Sequence, residues 1–324
     1  MPTKLVVIIV NWNGRSYIDW CLTSLEKQTF KDFSILLVDN NSGDGSVEYI
    51  KARYPKIKTI ALKENTGFAK ANNIAICATD SQYIATLNND AVAHPMWAEK
   101  LVKALDDNSQ AGFAASKMLF FDEPNTIDRS GDAYTIAGAG KFIGRGNSAC
   151  YYDKACNVFG ACAGAAIYRR EVMENLGCFD EDFFLLYEDV DLSFRAQLQG
   201  YQCCYVPDAI IYHMSSRSIG KDTPISIYFG HRNLEWVYLK NMPIILVLAT
   251  LVPHVIYVLF SFIFFASSGK GGIFLKAKWA ALKGVPEILI KRRIIQSRKV
   301  VTSRYIWDLL DKELFIDRFA LRFK

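Results

Sequence analysis

Apolar strand patterns alternate with helical patterns over the first 108 residues, and this alternation restricts the fold more than any other feature of the sequence. The strand patterns cover residues 5–10, 34–38, 58–62 and 83–87, and the helical patterns that follow them cover 16–28, 47–53, 68–78 and 95–108. Because residues 5–10 show no polar alternation, the first strand is predicted to be buried on both faces. Strands and helices in this order predict an α/β fold with a parallel sheet and right-handed crossovers.

Polar side chains stand just after each predicted strand. They are Asn11, Asp39, Asn65, Asn88 and Asp90. Asn, Asp and Gly also form turns and helix caps, which would explain any one of these residues. Four successive turns of this composition are better explained by a ligand, because ligands bind at the carboxyl edge of open α/β sheets. Neither a Gly-x-Gly-x-x-Gly turn nor a P-loop motif occurs, so a dinucleotide fold and a P-loop enzyme are disfavoured.

A second polar cluster, at residues 180–191, combines carboxylates with aromatic and apolar side chains. Glu188, Asp189 and Asp191 stand at the start of a predicted helix. The helix dipole favours carboxylates in a first turn, which is the structural interpretation. The adjacent apolar run at 183–187 predicts partial burial, which raises a carboxyl pKa toward that of a general base. Both interpretations remain open on these residues alone.

The regular alternation ends after residue 113. Residues 160–166 are small and are predicted to form a strand that lets a substrate or another backbone approach closely. A later apolar strand ends at His213 and opens a Ser/Arg-rich loop, a setting that suits a metal or diphosphate contact better than a structural histidine. The eight cysteines contain no Cys-x-x-Cys pair, so we expect reduced thiols rather than a zinc site or a disulfide framework.

Several motifs follow one another along the chain. Their order is Val10-Asn-Trp-Asn-Gly14, Asp39-Asn-Asn-Ser42, Asn65-Thr-Gly-Phe-Ala69 with Asn72, Leu87-Asn-Asn-Asp90, residues 160–170, Glu188-Asp-Val-Asp-Leu192 with Arg195, and His213. As a set they resemble the inverting family 2 glycosyltransferases of the GT-A fold, and more narrowly the rhamnosyltransferase-like group that acts on lipid-linked glycans. The resemblance spans about residues 4–235. It implies a nucleotide-diphospho-sugar transferase fold, with a Rossmann-like, mostly parallel sheet, in a catalytic domain at residues 1–235.

The resemblance also implies roles for individual residues. Asp189 matches the family's catalytic base, with Glu188 and Asp191 beside it in the catalytic motif. Asp90 and His213 are the implied ligands of a Mg²⁺ or Mn²⁺ ion on the donor diphosphate. The implied substrate-binding residues are Asn11, Asn13, Asp39, Asn65, Gly67, Asn72, Asn88, Asn89, Gly164 and Arg217. The family's metal motif is Asp-x-Asp, so Asn88 is a departure from it, because an amide cannot supply the missing charge.

The implied chemistry is sugar transfer with inversion. A divalent ion eases departure of the nucleoside diphosphate. One carboxylate suffices to take the proton from an acceptor hydroxyl that attacks C1 from the opposite face. A single displacement of this kind needs no glycosidase-like carboxylate pair. Processive members carry a Gln-x-x-Arg-Trp motif where this chain has His231-Arg-Asn-Leu-Glu235, so transfer of a single sugar is expected.

The expected donor is dTDP-rhamnose and the expected acceptor is a lipid-linked or cell-surface glycan, with a UDP-hexose donor as the first alternative. A sugar nucleotidyltransferase would need a Gly-rich basic loop after the first strand, where this chain offers only Arg15. A membrane-bound scaffold that has lost activity is a further alternative, supported by Asn88 alone. No nucleic-acid partner is expected, and the oligomeric state is left open.

The C-terminal part, residues 236–324, is predicted to associate with a membrane. Residues 244–266 carry no acidic or basic side chain apart from His254 and are long enough to cross a bilayer. Residues 270–324 carry a net charge of +9, against +5 for the whole chain. A basic segment directly after so apolar a run indicates an anionic membrane rather than nucleic acid.

The expected orientation argues against a single span. The first apolar run is too short for a signal peptide, and nucleotide sugars are cytosolic, so the catalytic domain is expected at the cytoplasmic face of the cell membrane. A single span would place the basic tail on the far side, against the positive-inside rule. We therefore expect a re-entrant or interfacial hairpin bent at Pro253. The basic amphipathic segment at 270–300 would lie along the surface, with Trp279, Leu282, Ile288 and Leu289 in lipid.

Overall fold

A computed structural model of the protein describes residues 2–214, 220 and 222–313. In this part of the chain the strands are β1 (Leu5–Asn11), β2 (Phe33–Asp39), β3 (Lys58–Ala61), β4 (Tyr83–Leu87), β5 (Ala91–Ala93), β6 (Ala111–Phe120), β7 (Ile127–Arg129), β8 (Asp132–Tyr134), β9 (Gly140–Phe142), β10 (Cys156–Val158), β11 (Ala165–Arg169) and β12 (Gln202–His213). The α-helices are α1 (Ile18–Glu26), α2 (Ser46–Arg53), α3 (Gly67–Cys77), α4 (Trp97–Asp107), α5 (Arg170–Leu176), α6 (Glu188–Leu198), α7 (Pro224–Asn241), α8 (Ile244–Ser267), α9 (Gly271–Lys283), α10 (Val285–Ser297) and α11 (Ser303–Leu309).

The central sheet is mostly parallel, as predicted, with antiparallel strands in its second half. Its order is β10-β12-β6-β11-β4-β1-β2-β3, with β5 on β12 and β7 on β6. β1 pairs in parallel with β2 and β4, and β2 pairs in parallel with β3. β11 runs antiparallel between β4 and β6. The four strand–helix units at the start of the chain therefore form one half of the sheet, and the irregular region supplies the other.

The first strand shows why its sequence lacks polar alternation. Leu5, Val7 and Ile9 pack into the apolar core on one face of the sheet. Val6 and Ile8 pack into the core on the other face. Both faces of β1 are covered, as in other central parallel strands, so every position is apolar.

The small-residue segment was only partly predicted. The strand there is Ala165–Arg169, whereas residues 160–164 form a loop rather than a strand. The loop packs closely under α6, since a Cβ on Gly160 would lie 2.5 Å from Ser193 Oγ. The expected close approach occurs at Gly160, but the side chain of Ser193 on α6 makes it, not a substrate or another backbone.

The helix α8 is continuous, so the predicted bend at Pro253 is wrong. One face of α8 is buried along its whole length. The buried side chains on this face are Leu246, Thr250, His254, Tyr257, Ser261 and Phe265. The His254 ring stacks on Tyr238 with 4.0 Å between centroids, and its Nδ1 donates to the Ala137 carbonyl at 2.8 Å. Packing on both sides of Pro253 keeps the helix continuous, although a proline removes one helical hydrogen bond.

The basic segment after α8 forms two helices, α9 and α10, that meet at Gly284. A Cβ on Gly284 would lie 2.6 Å from the Trp236 ring, so the chain there passes directly against α7. Trp279, Leu282 and Leu289 are exposed, as predicted for this segment, but Ile288 is only 1% exposed. The expectation that Ile288 faces lipid is therefore wrong, because it belongs to the core that joins α7 and α10.

Candidate active site

The first two strands end in a hydrogen-bonded polar cluster. Asn11 and Asp39 are register partners at the ends of β1 and β2, and Asn11 Nδ2 donates to Asp39 Oδ1 at 2.9 Å. Asn89 Nδ2 donates to Asn11 Oδ1 at 2.8 Å. Gly14 closes over this cluster, where a Cβ would lie 2.3 Å from Asn11 Oδ1. The structure thus brings three of the predicted substrate-binding residues together, but all three are buried, and they form the floor of the sheet edge.

The turn after β2 is hydrogen-bonded to the turns after β1 and β3. The Ser42 hydroxyl accepts from the Asn13 backbone N–H at 2.9 Å, and Asn13 Oδ1 accepts from the Gly43 N–H at 2.9 Å. Asn40 Nδ2 donates to Asn65 Oδ1 at 2.9 Å. Asn40 was not among the predicted site residues, although its position inside the Asp39–Ser42 motif was a usable signal.

The turn before α3 meets the loop before α6. The carbonyl of Phe184 accepts from the N–H groups of Phe68 at 2.6 Å and Ala69 at 3.2 Å. Gly67 has φ +81°, and a Cβ there would lie 2.4 Å from the Phe184 carbonyl oxygen. Gly67 therefore allows this close contact. Asn72, one turn later, is 1% exposed, and its Oδ1 has no hydrogen-bond partner within the described ranges.

A histidine lies between two carboxylates beside β4. Antiparallel pairing places His213 opposite Ala91, next to Asp90. Asp90 Oδ1 lies 3.2 Å from His213 Nε2, and Asp128 Oδ2 lies 2.7 Å from His213 Nδ1. Burial lowers the pKa of His213, but the two carboxylates outweigh burial and raise that pKa to about 9. Asp128 was not predicted, because nothing near it in the sequence marks it as a partner of a histidine 85 positions away.

Asp90 and His213 together would fit a divalent cation that shares its ligands with a diphosphate, and binding of the metal would displace the proton that a pKa of about 9 gives His213. Among the described residues no group of three His, Cys, Asp or Glu side chains could hold a metal by itself. Mg²⁺ is commonly held by one or two carboxylates together with substrate phosphates, so two protein ligands suffice. The carboxylate of Asp128 behind His213 is the outer partner that orients a metal-binding imidazole in many sites. Asn88 Nδ2 lies 3.5 Å from His213 Nε2.

Two adjacent residues, Ala163 and Gly164, link the carboxylate of Asp189 to the metal motif. The Ala163 N–H donates to Asp189 Oδ2 at 3.2 Å. The carbonyl of the following residue, Gly164, accepts from the Asn88 N–H at 2.8 Å. A Cβ on Gly164 would lie 2.9 Å from Asn88 Nδ2, so glycine permits this approach. Asp189 and the metal-motif residues are therefore hydrogen-bonded to two adjacent residues, Ala163 and Gly164.

The three carboxylates at the start of α6 have different environments. Asp189 is half-buried, whereas Glu188 is 6% exposed and Asp191 is fully buried. Burial raises the pKa of Glu188 well above its usual value, and the charge of Asp189 raises it further. The Asp191 carboxylate is occupied by Arg195 Nε at 2.8 Å, Lys240 Nζ at 2.7 Å and Asn241 Nδ2 at 2.7 Å. The geometry therefore favours Asp189 as the proton acceptor. Arg217 lies outside the described residues.

A polar sheet edge, with the Asp90–His213 pair on one side of the Ala163–Gly164 link and the half-buried Asp189 carboxylate on the other, is the arrangement expected of a glycosyltransferase with the GT-A fold. Residues 6–177 match the model of glycosyl transferase family 2, which is more than half of the chain. The chain belongs to this family, and the sugar nucleotidyltransferase alternative is set aside. The matched region ends before Asp189 and His213, so the geometry alone supports these two residues.

The chain is similar to an N-acetylglucosaminyl-diphospho-decaprenol L-rhamnosyltransferase of Mycobacterium tuberculosis. The two are 26% identical over 275 residues, covering 74% of this chain and 85% of the relative. The structure of GalNAc-T7 with UDP, GalNAc and Mn²⁺ is similar at a TM-score of 0.60 and 18% identity, over 74% of this chain and 49% of that one. The structure of S. aureus TarS 1-349 with UDP-GlcNAc has a TM-score of 0.51 and 20% identity, over 74% and 67%. At these identities the solved structures establish the fold.

Proposed function

We propose that the protein is an inverting, non-processive glycosyltransferase that moves one sugar from a nucleoside diphosphate sugar to a hydroxyl of a lipid-linked or cell-surface glycan. The arrangement of Asp189 and of the Asp90–His213 pair on either side of the Ala163–Gly164 link supports this reaction. A base on one side and a diphosphate contact on the other are what an in-line displacement at C1 needs.

In the proposed reaction the acceptor oxygen forms a bond to C1 while Asp189 takes the hydroxyl proton. The bond between C1 and the diphosphate oxygen breaks, and its electron pair leaves with the nucleoside diphosphate. Asp90 and His213 would hold Mg²⁺ or Mn²⁺, which when bound neutralises charge on the diphosphate. The buried Asn11–Asp39–Asn89 cluster shapes the floor under the nucleotide.

The donor is proposed to be dTDP-rhamnose, because the similar protein of M. tuberculosis is named as an L-rhamnosyltransferase. That name also gives a polyprenyl diphosphate sugar as the acceptor, which supports a lipid-linked acceptor here. A UDP-hexose is the second candidate donor, because the similar solved structures contain UDP or UDP-GlcNAc.

The surface of α8 supports a position on the cytoplasmic face of the membrane. By length and composition, α8 is a candidate to cross a bilayer. Its buried face, however, contacts the catalytic domain, where His254 binds the Ala137 carbonyl and Tyr257 packs with Leu234, so a crossing would carry that domain into lipid. The outward side chains are large and apolar, and Leu248 and Val252 are each 68% exposed. A helix of this kind lies in the plane of the interface.

A cationic cleft lies at the start of α8 and adds to this surface. Its volume is about 390 Å³, and its lining includes Ile244, Ile245, Arg292, Arg293 and Lys299. Basic side chains beside exposed isoleucines match a membrane surface, where anionic headgroups lie next to hydrocarbon. Nucleotide sugars are made in the cytosol, so the proposed face is the cytoplasmic one.

The experiment is a transfer assay with the full chain, a polyprenyl diphosphate-linked sugar and either dTDP-rhamnose or a UDP-hexose. We expect a single added sugar whose anomeric configuration, read by NMR, is opposite to that of the donor. A product with retained configuration, or a ladder of added sugars, would contradict the proposal. Absence of transfer with every donor, with donor binding intact, would favour the inactive scaffold.

A further inference from the structure

The segment that precedes the proposed base has an unusual backbone. Phe184, Leu186 and Tyr187 have φ of +63°, +66° and +70°. Residues other than glycine rarely adopt this region, and large side chains least of all. Such conformations persist only where the surrounding structure determines them, and they concentrate at functional sites. The contacts that hold residues 183–187 therefore bear on the site.

A buried asparagine on α7 binds three carbonyls of this segment. Asn233 is 0% exposed, and its Nδ2 lies 2.9 Å from the Phe183 oxygen, 2.9 Å from the Leu185 oxygen and 2.6 Å from the Leu186 oxygen. An amide group has two N–H donors, so three carbonyls use its whole donor capacity. This one side chain binds three of the five backbone carbonyls of residues 183–187.

The neighbouring arginine fixes the orientation of that amide. Arg232 Nε donates to Asn233 Oδ1 at 2.8 Å, so the amide nitrogen must face the segment. Arg232 Nη2 also donates to the carbonyls of Asp182 at 2.8 Å and Phe183 at 3.0 Å. The two side chains act on the same stretch of backbone.

The two remaining carbonyls of residues 183–187 accept hydrogen bonds from the first turns of α3 and α6. The Phe184 carbonyl accepts from the first N–H groups of α3, beside the donor edge. The Tyr187 carbonyl accepts from the Asp191 N–H at 2.8 Å and so begins α6. A change in the conformation of residues 183–187 would shift the start of α6, and with it Asp189.

We propose that Asn233, oriented by Arg232, is a positioning residue that holds residues 183–187 in the conformation that presents Asp189 to the acceptor hydroxyl. This inference rests on the proposed function, in which Asp189 is the base. It assigns a role in transfer to α7, which lies beyond the part of the chain that matches the family.

The test is Asn233→Asp in the full chain. The change keeps the shape but replaces two donors with oxygens that face three carbonyls. We expect kcat to fall by about 10- to 100-fold, since small displacements of a catalytic group have effects of this size. Affinity for UDP and dTDP, measured by calorimetry, should change by less than about threefold, a shift below 1 kcal/mol. The carbonyl that reaches α3 beside the donor edge is that of Phe184, which is not among the three that Asn233 binds.

Asn73→Asp is the matched control. Asn73 Nδ2 donates to the Phe179 carbonyl at 2.8 Å, so it binds the same loop just outside the strained segment. This variant should keep kcat near the wild-type value. If Asn233→Asp does not fold, Asn233→Ala removes the donors without adding repulsion, and the same criteria apply to it.

A folded Asn233 variant with a kcat equal to that of the control would overturn the inference. A loss of kcat that only follows a loss of nucleotide binding would overturn it as well. Failure of the proposed function is distinguishable, because Asp189→Asn would then retain activity whatever Asn233 does.

Discussion

Adjacent carboxylates on α6 differ because their surroundings differ. Glu188 is buried without a partner for Oε2 within the described part of the chain, Asp191 is buried in ion pairs, and Asp189 is half-buried with peptide N–H donors. Neighbouring carboxyl groups in different surroundings can take different roles in an active site. Of the three, only Asp189 combines solvent access with hydrogen bonds from peptide N–H groups.

Glu188→Gln tests this division. In the unfolded chain Glu188 ionises above about pH 4 to 5, whereas burial raises its pKa in the folded protein, so that it stays protonated to a higher pH there. The wild type therefore loses stability as pH rises above that range, and the variant lacks this loss. We expect the free energy of unfolding of the variant, relative to wild type, to increase between pH 5 and pH 8, with sugar transfer retained.

Urea unfolding at several pH values measures this difference, and Glu123→Gln, at an exposed site, is the control. A difference that does not vary with pH would mean that Glu188 is ionised in the folded protein. Loss of transfer in Glu188→Gln would return Glu188 to the list of candidate bases.

The metal motif is tested by Asp90→Ala beside Asn88→Ala. Asp90 is the carboxylate of the motif and lies 3.2 Å from His213, whereas Asn88 supplies an amide. We expect Asp90→Ala to abolish the Mn²⁺-dependent tightening of UDP or dTDP binding and Asn88→Ala to weaken it only partly. Calorimetry with and without Mn²⁺ reports this directly. Full transfer by the wild type in excess chelator would contradict a metal role.

The sequence predicted which residues lie together at the site more accurately than it predicted the contacts that each of them makes. Asn11, Asp39 and Asn89 do meet, because strand ends share an edge, but they bond to one another. Asp128 could not be predicted as the partner of His213, because that contact depends on the register of β6, β7 and β12.

At the scale of the elements, prediction worked where a pattern is local. The alternation of β1 to α4 was predicted from apolar strand patterns followed by helical ones, and β4 has the predicted bounds, Tyr83–Leu87. The antiparallel β11 between β4 and β6 was not predicted, because its neighbours are chosen by tertiary pairing. The continuity of α8 through Pro253 depends likewise on the surface against which it packs.

Gly67→Ala tests the contact between α3 and the loop before α6. The added Cβ would lie 2.4 Å from the Phe184 carbonyl oxygen, at a φ of +81°. Gly45→Ala is the control, because Gly45 has a φ of +78° and nothing within 4 Å of an added Cβ. We expect about 1 kcal/mol of destabilisation in Gly45→Ala from the backbone alone. Gly67→Ala should cost about 2 kcal/mol more because of overpacking.

Urea unfolding of both variants gives the comparison. Equal destabilisation would mean that the Phe184 loop moves away freely, and the proposed link between the donor edge and α6 would lose its support.

At the scale of the whole molecule, the C-terminal helices pack on and bind the residues around the candidate active site. The predicted boundary at residue 235 lies within α7, and Trp236 packs in the same core as Phe183 and Phe194. Lys240 binds Asp191 on α6 and Asp180 in the loop before it. The hydropathy of residues 244–266 predicted a membrane surface but could not reveal these contacts, because they depend on α7.

The membrane position is tested by Leu248→Ser/Val252→Ser. Both side chains point outward from α8, so their loss should leave the melting temperature unchanged. Flotation with vesicles that contain phosphatidylglycerol should show binding reduced by about tenfold or more, from the apolar area withdrawn from lipid. Trp20→Ser, at an exposed site on α1, is the control. Unchanged vesicle binding by the double variant would contradict an interfacial α8.

The reaction itself is tested most directly by the single-turnover rate of Asp189→Asn. The amide keeps the size of the side chain but cannot take a proton. The rate of sugar transfer should fall by about 10² to 10⁴, the usual contribution of a general base. The affinity for UDP or dTDP should be that of the wild type, because Asp189 lies across the Ala163–Gly164 link from the metal motif. A transfer rate within a few-fold of wild type would contradict the assignment of Asp189 as the base.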